Sequence, residues 1–256
     1  MKNRMGGVAL LAGTLIAGAA GAQGESVTVY AAAVVKTPLT AIAADYEKKT
    51  GNKVALIFDT AGATAQKFLA DRETALLITS VPVIRAAENK GTLRDGTSTP
   101  LGSTVAAVAV PPKSLKPDVS TPEKLKAALL AAKRIAVSDP ARGATVGTHF
   151  MKVLEELGIK DQVASKITFA SDGFATMRLV IDEGVDIGVS QSSEILQSNP
   201  ESMAGPFPKE FSLATEFLLW HGDEIPPAAK GLMEVLTGPA GREKLAADGV
   251  LPPASR

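Results

Sequence analysis

Thr104-Val-Ala-Ala-Val-Ala-Val110 runs without a charged residue into Pro111-Pro112. A valine-rich run of this length, closed by two prolines, reads as a strand buried on both faces. It also divides the chain. Upstream, Val27 to Ala32 reads as a strand and Ala33 to Thr37 as a small-residue loop. Pro38 then opens a helix with Leu39, Ile42, Ala43 and Tyr46 on one face, ending in Lys48-Lys49 and Gly51. Lys53 to Phe58 is the next strand, Asp59 to Ala63 a turn, and Thr64 to Asp71 a helix. Ala75 to Thr79 and a helix ending near Lys90 complete this set.

Downstream the alternation resumes. Ser120-Thr-Pro-Glu123 is a helix start, with proline in the first turn and an acid three residues after a hydroxyl. Strands are expected at Arg134 to Val137, Ile167 to Ala170 and Asp186 to Val189, and helices at Val146 to Leu157 and Ala175 to Glu183. Phe211 to Leu219 reads as a strand returning to the first set, followed by helices Ala228 to Leu236 and Gly238 to Asp248. Strands alternating with helices predict an α/β protein with parallel-type sheets covered on both faces. Thr104 to Val110 is then the crossover between two lobes. The first is discontinuous, 26–103 with 204–256, and 104–203 is the second.

The 256 residues carry 27 basic and 27 acidic side chains, so no basic surplus recommends nucleic acid or an anionic membrane. Residues 1–22 have the form of a cleavable signal peptide. Lys2 and Arg4 precede the apolar run Val8 to Ala19, and Ala20-Gly21-Ala22 fits the small-x-small cleavage pattern. The run is short and glycine-rich for a membrane span. Cysteine is absent, which excludes thiol catalysis, cysteine-ligated metal and a lipid-modified cysteine anchor. A soluble protein free in the periplasm is expected.

In open parallel sheets ligands sit beyond the carboxyl ends of strands, where helix N-termini present free amides. Four such junctions are visible, at 32–37, 59–64, 138–146 and 189–194. Thr60, Thr64, Ser138, Thr145, Ser190, Ser192 and Ser193 place hydroxyls there. Any one junction by itself reads first as an ordinary N-cap or turn; their recurrence, with positively polarised helix ends, points to a small anion. Arg142 lies in a Gly/Thr-rich loop before a helix, where its fork fits a ligand carboxylate, although an exposed loop arginine has the same surroundings. His149 is one turn into that helix, where a partly buried structural role is the first reading and a place facing the cleft the second, and His221 follows Trp220 as a structural or exposed residue. Glu194 is a candidate acid–base group or a helix cap. Two histidines and no cysteine argue against zinc, and no Walker loop, nucleophile elbow or dinucleotide glycine pattern is present, so no cofactor is expected.

Val27-Thr-Val-Tyr-Ala-Ala-Ala33, Phe58-Asp-Thr-Ala-Gly62, Ser138-Asp-Pro140, Leu157-Gly-Ile159 and Asp186-Ile-Gly-Val-Ser-Gln-Ser-Ser-Glu194 follow one another in order. Together they resemble the periplasmic molybdate-binding proteins of ABC transporters over essentially the whole mature chain. The resemblance implies the two-lobed type II binding-protein fold, a ligand cleft that closes by a hinge, a monomer, and an ABC permease as partner. It maps the ligand site to Val34, Thr60, Ala61, Arg142, Thr145, Val146, Thr176 and Gln191. Val34 stands where that family typically has serine, and Gln191 where it has tyrosine. The Asp-Pro-Ala-Arg-Gly-Ala-Thr loop (139–145), the Gln-Ser-Ser-Glu-Ile exit (191–195) and Gly-Pro-Phe-Pro (205–208) resemble proteins related to aconitate isomerase. This second resemblance implies an alternative: an enzyme moving the double bond of a tricarboxylate, with His149 or Glu194 as base. Uptake of a small anion is the leading reading because it needs only a cleft and two lobes.

Overall fold

The computed structural model describes residues 24–71, 75–93 and 96–253. The signal segment expected at 1–22 lies outside them. The first elements are β1 (Ser26–Ala32), α1 (Lys36–Thr50), β2 (Lys53–Asp59), α2 (Ala61–Asp71), β3 (Ala75–Ser80), α3 (Val81–Asn89) and β4 (Gly96–Ala109). Then come α4 (Pro122–Ala131), β5 (Ile135–Ser138), α5 (Thr145–Glu156), α6 (Lys160–Val163), β6 (Ile167–Ala170), α7 (Gly173–Ile181), β7 (Ile187–Gln191) and α8 (Ser192–Ser198). The chain ends with β8 (Met203–Pro206), β9 (Ala214–Gly222), α9 (Pro227–Thr237) and α10 (Pro239–Ala247).

Local chemistry accounts for most boundaries. α1 buries Leu39, Ile42 and Tyr46, spaced along one face, and stops at Gly51, whose φ of +76° suits a residue without a Cβ. Thr121 caps α4 by accepting from the Lys124 N–H, and Pro122 follows in the first turn. β1 has a continuous buried run from Val29 because strands pair with it on both sides and helices cover both faces.

The strands form one sheet in the order β2-β1-β3-β9-β4-β7-β5-β6, with β8 also on β4. The outer pairs β1–β2, β1–β3, β5–β6 and β5–β7 are parallel, as the alternation predicts. The centre is antiparallel: β9 lies against β3 and β4, and β4 against β7 and β8. β4 is the crossover strand and extends well upstream of Thr104. Its residues 96–105 pair with β9, and 106–109 with β7.

Apolar side chains collect on both faces of each half of this sheet. Val29, Leu39, Leu76, Phe217 and Leu232 share one core, and Tyr30, Phe68, Leu77 and Trp220 another on the opposite face. Beyond residue 105, Val108, Leu125, Val137, Phe150 and Phe207 form a third, and Ala107, Met177, Val180 and Ile195 a fourth. No helix among the described residues is long and apolar enough to cross a membrane.

Candidate functional site

The expected junctions converge between the two halves of the sheet. A cavity of about 30 Å³ there is lined by Ala33, Val34, Thr60 and Ala61 from one half and Ser138, Thr145, Val146, Gln191 and Glu194 from the other. A water molecule needs roughly 10–15 Å³ on this scale, so the space suits an anion of a few atoms. Phe217 closes it on one side.

Two of the helix starts at the cavity lack a side-chain cap. The 33–35 turn follows Ala32, and α5 follows Ala144, neither of which caps it. Their first amides therefore have no intrahelical partner and carry the positive end of the local dipole. The hydroxyls of Ser138 and Thr145 lie beside them. The other junctions are already satisfied. Thr60 Oγ1 accepts from the Ala63 N–H and donates to the Arg142 carbonyl. Thr64 Oγ1 donates to the Ala31 carbonyl. Asp172 caps α7 through the Ala175 N–H, and Glu194 Oε2 accepts from the Gln191 N–H at the start of α8.

Arg142 is a carboxylate clamp, but the carboxylate belongs to the chain. Its Nη2 lies 2.8 and 2.9 Å from the two oxygens of Asp59, and its Nε donates to the Ser171 carbonyl at 3.0 Å. Its Nε and Nη2 are thus paired within the chain. The pair joins the end of β2 to the loop before α5, next in sequence to the cavity-lining Thr60 and close to Ala144. Lys67 also meets Asp59, at 2.7 Å. Beside them the Gly62 N–H donates to the Gly143 carbonyl at 3.1 Å.

His149 is not at the cavity: its Nε2 is 2.8 Å from the Phe211 carbonyl and its ring packs on Phe207. Thr176 is fully buried in α7, where its Oγ1 donates to the Asp172 carbonyl. Gln191 lines the cavity, but its amide is spent: Oε1 accepts from Thr104 Oγ1 at 2.7 Å and Nε2 donates to Thr215 Oγ1 at 3.2 Å. Val34, Thr60, Ala61, Thr145 and Val146 all reach the cavity.

Glu194 is wholly buried there, 5% exposed. Ser190 Oγ donates to its Oε2 at 2.6 Å. Burial pushes its carboxyl up to about 7; the Ser190 and Gln191 hydrogen bonds act the other way, and Asp172 adds a small upward push. Sequence reading passed over Gly173, whose role is spatial. A Cβ at that position would lie 1.9–2.4 Å from the Glu194 carboxyl atoms, so glycine makes room for it. A glycine directly after the Asp172 cap was the available signal.

Known proteins share this fold. The molybdate-binding protein ModA of Escherichia coli (strain K12) is 26% identical over 205 residues, covering 79% of each chain. Among solved structures, the periplasmic molybdate-binding protein of Azotobacter vinelandii superposes with a TM-score of 0.68 at 16% identity, covering 90% of this chain and 99% of that one. A putative phosphate ABC transporter substrate-binding protein from Clostridium perfringens, with bound phosphate, gives 0.67 at 12% identity, covering 90% and 100%. These likenesses establish the type II periplasmic binding-protein fold. They give no support to the tricarboxylate isomerase, and of its two candidate bases only Glu194 stands at the cavity. The profile of the bacterial extracellular solute-binding proteins matches residues 27–251, and the chain belongs to that family.

Proposed function

We propose that this solute-binding protein closes around a small tetrahedral oxyanion of the molybdate or phosphate class and presents it to an ABC permease from the periplasm. The observation that carries this is the cavity itself: small, lined by uncapped helix starts and hydroxyls from both halves, with its neighbouring arginine already paired. Oriented amides hold an oxyanion without a neutralising cation. Val34, Thr60, Ala61, Thr145 and Val146 are the proposed contact residues, through backbone amides where the side chain is apolar. The moving bodies are lobes 26–103 with 204–256 and 104–203, and the protein works as an exported monomer after loss of residues 1–22. The relatives named above support the ligand class, two being molybdate-binding proteins and one a putative phosphate transporter component with phosphate bound.

Thermal unfolding of the 23–256 chain with molybdate, phosphate, sulfate and trans-aconitate tests the reading. A ligand at a hundredfold excess over its Kd adds about 2.7 kcal/mol. At this chain length that amounts to a rise in Tm of about 5–10 °C. The reading expects this from at least one inorganic oxyanion and none from trans-aconitate. A shift with the tricarboxylate alone would refute it.

A further inference from the structure

Resting on the oxyanion reading, we propose that Glu194 is a specificity-determining residue, and that the bound state holds one proton shared between its Oε1 and an oxygen of the anion. Oxyanions that bring no proton then require a protonated Glu194. Oxyanions that carry one, such as hydrogen phosphate, donate it to an ionised Glu194.

Four observations lead here. Glu194 lines the same cavity as the uncapped starts of the 33–35 turn and α5. Its two oxygens have different surroundings. Oε2 is occupied by the Ser190 hydroxyl and the Gln191 N–H, whereas Oε1 has no hydrogen-bond partner among the described residues. The carboxyl is pressed against the start of α7, where only the absence of a Cβ at Gly173 admits it. Helix capping alone explains one oxygen and not the other. The remaining oxygen belongs to a side chain that lines the space proposed for the anion, and an ionised carboxylate against an anion in a buried cavity is repulsive. A hydrogen between the two oxygens turns that repulsion into a charge-assisted bond.

The surroundings leave Glu194 free to change its protonation. Asp172, the cap of α7, is the charged group that acts on it, and it disfavours ionisation. β4, β5, β7, β8, α8 apart from Glu194 itself, and the 33–35 turn contribute no charged side chain. On α7, Arg178 belongs to the last turn, away from Gly173. On α1, the Lys36 ammonium lies over the ring of Phe174, 5.0 Å from its centroid. Burial then raises the carboxyl to about 7, where either state is accessible at ordinary pH.

The experiment is titration calorimetry of the 23–256 chain with molybdate, sulfate and phosphate between about pH 6 and about pH 9, repeated in buffers of different ionisation enthalpy. Molybdate and sulfate carry no proton in this range. Where either binds, the inference expects uptake of one proton at the alkaline end and a roughly tenfold loss of affinity per pH unit above about 7. Glu194→Gln keeps the shape and supplies a permanent donor, so it should bind both anions with no pH slope. Where phosphate binds instead, affinity should hold at alkaline pH, and Glu194→Gln should erase its preference over sulfate. Proton-free anions bound with no proton uptake, or a slope unchanged in Glu194→Gln, would overturn the inference and leave the oxyanion reading intact. So would a phosphate preference unchanged in Glu194→Gln. The wild-type proton count reads the first of these even if the variant fails to fold. If none of the three anions binds at any pH, the oxyanion reading falls and this inference with it.

Discussion

Asp59 sits at the end of β2, almost wholly shielded from water, and three groups compensate its charge. Burial opposes ionisation, but the hydrogen bonds from Lys67, the Thr60 N–H and Arg142 outweigh it and hold the carboxyl below the ordinary carboxylate range. The partners differ in reach. Lys67 belongs to α2, in the same half of the sheet, whereas Arg142 comes from the loop before α5, 83 residues away in sequence. Loss of Arg142 therefore leaves Asp59 paired within its own half and removes the bond that joins it to the loop before α5. Arg142 is 42% exposed, so solvent screening discounts the pair to about 1 kcal/mol. Arg142→Ala should weaken oxyanion binding about fivefold by disfavouring closure, with unfolding of the ligand-free protein little changed. Calorimetry and urea denaturation measure the two separately. An affinity unchanged by Arg142→Ala would show that the pair is not a latch. The sequence already marks Arg142 as a fork for a carboxylate. Which carboxylate depends on folding that brings two distant loops together, and no local pattern encodes that.

At the scale of elements, the two halves approach each other closely through backbone. Gly62 in the first turn of α2 and Gly143 before α5 meet so tightly that a Cβ on either would lie 2.7 Å from the other's Cα. Gly143 also has a φ of +72°, where any side chain adds strain of its own. Gly62 is helical, so Gly62→Ala separates the effects: alanine favours the helix by up to about 1 kcal/mol but wedges the mouth apart. The variant should be at least as stable as wild type without ligand, bind oxyanion at least tenfold more weakly, and fail to contract on ligand addition in small-angle X-ray scattering. Retained affinity and normal contraction would place closure elsewhere. Element boundaries were legible where a cap or stop is written in residues, as at Gly51 and Thr121-Pro122. They were not legible in β8 and α6, each four residues long, which have too few positions to show a period. The start of β4 was hidden differently. Its residues 96–100 are mostly exposed and include Pro100, so neither alternation nor a buried run announces a strand that exists because β9 pairs with it.

Over the whole molecule, the fold class was legible because alternating strands and helices are local signals repeated along the chain. The antiparallel centre of the sheet was not, since β3–β9 and β4–β9 pairs join residues more than a hundred positions apart. The same long-range packing sets the pH response of stability, through carboxylates with opposite shifts. Asp59 is lowered from 3.8, so its contribution is present above that value and is lost as pH falls through its folded pKa. Glu194 is raised from 4.5 to about 7. The folded state then keeps a proton that the unfolded chain releases, and stability contributed below pH 4.5 is lost as pH rises toward 7. That difference of about 2.5 units corresponds to roughly 3 kcal/mol. The windows do not overlap, so urea unfolding of the ligand-free protein across this range resolves them. Wild type should lose stability from about pH 5 to about pH 7 and then level off, whereas Glu194→Gln should lack this decline and be the more stable protein at about pH 8. Asp59→Asn should leave that decline in place and change only the acid limb. A parallel decline in wild type and Glu194→Gln would mean that Glu194 is ionised in the folded cavity throughout, because a carboxyl that keeps its proton there must give it up on unfolding.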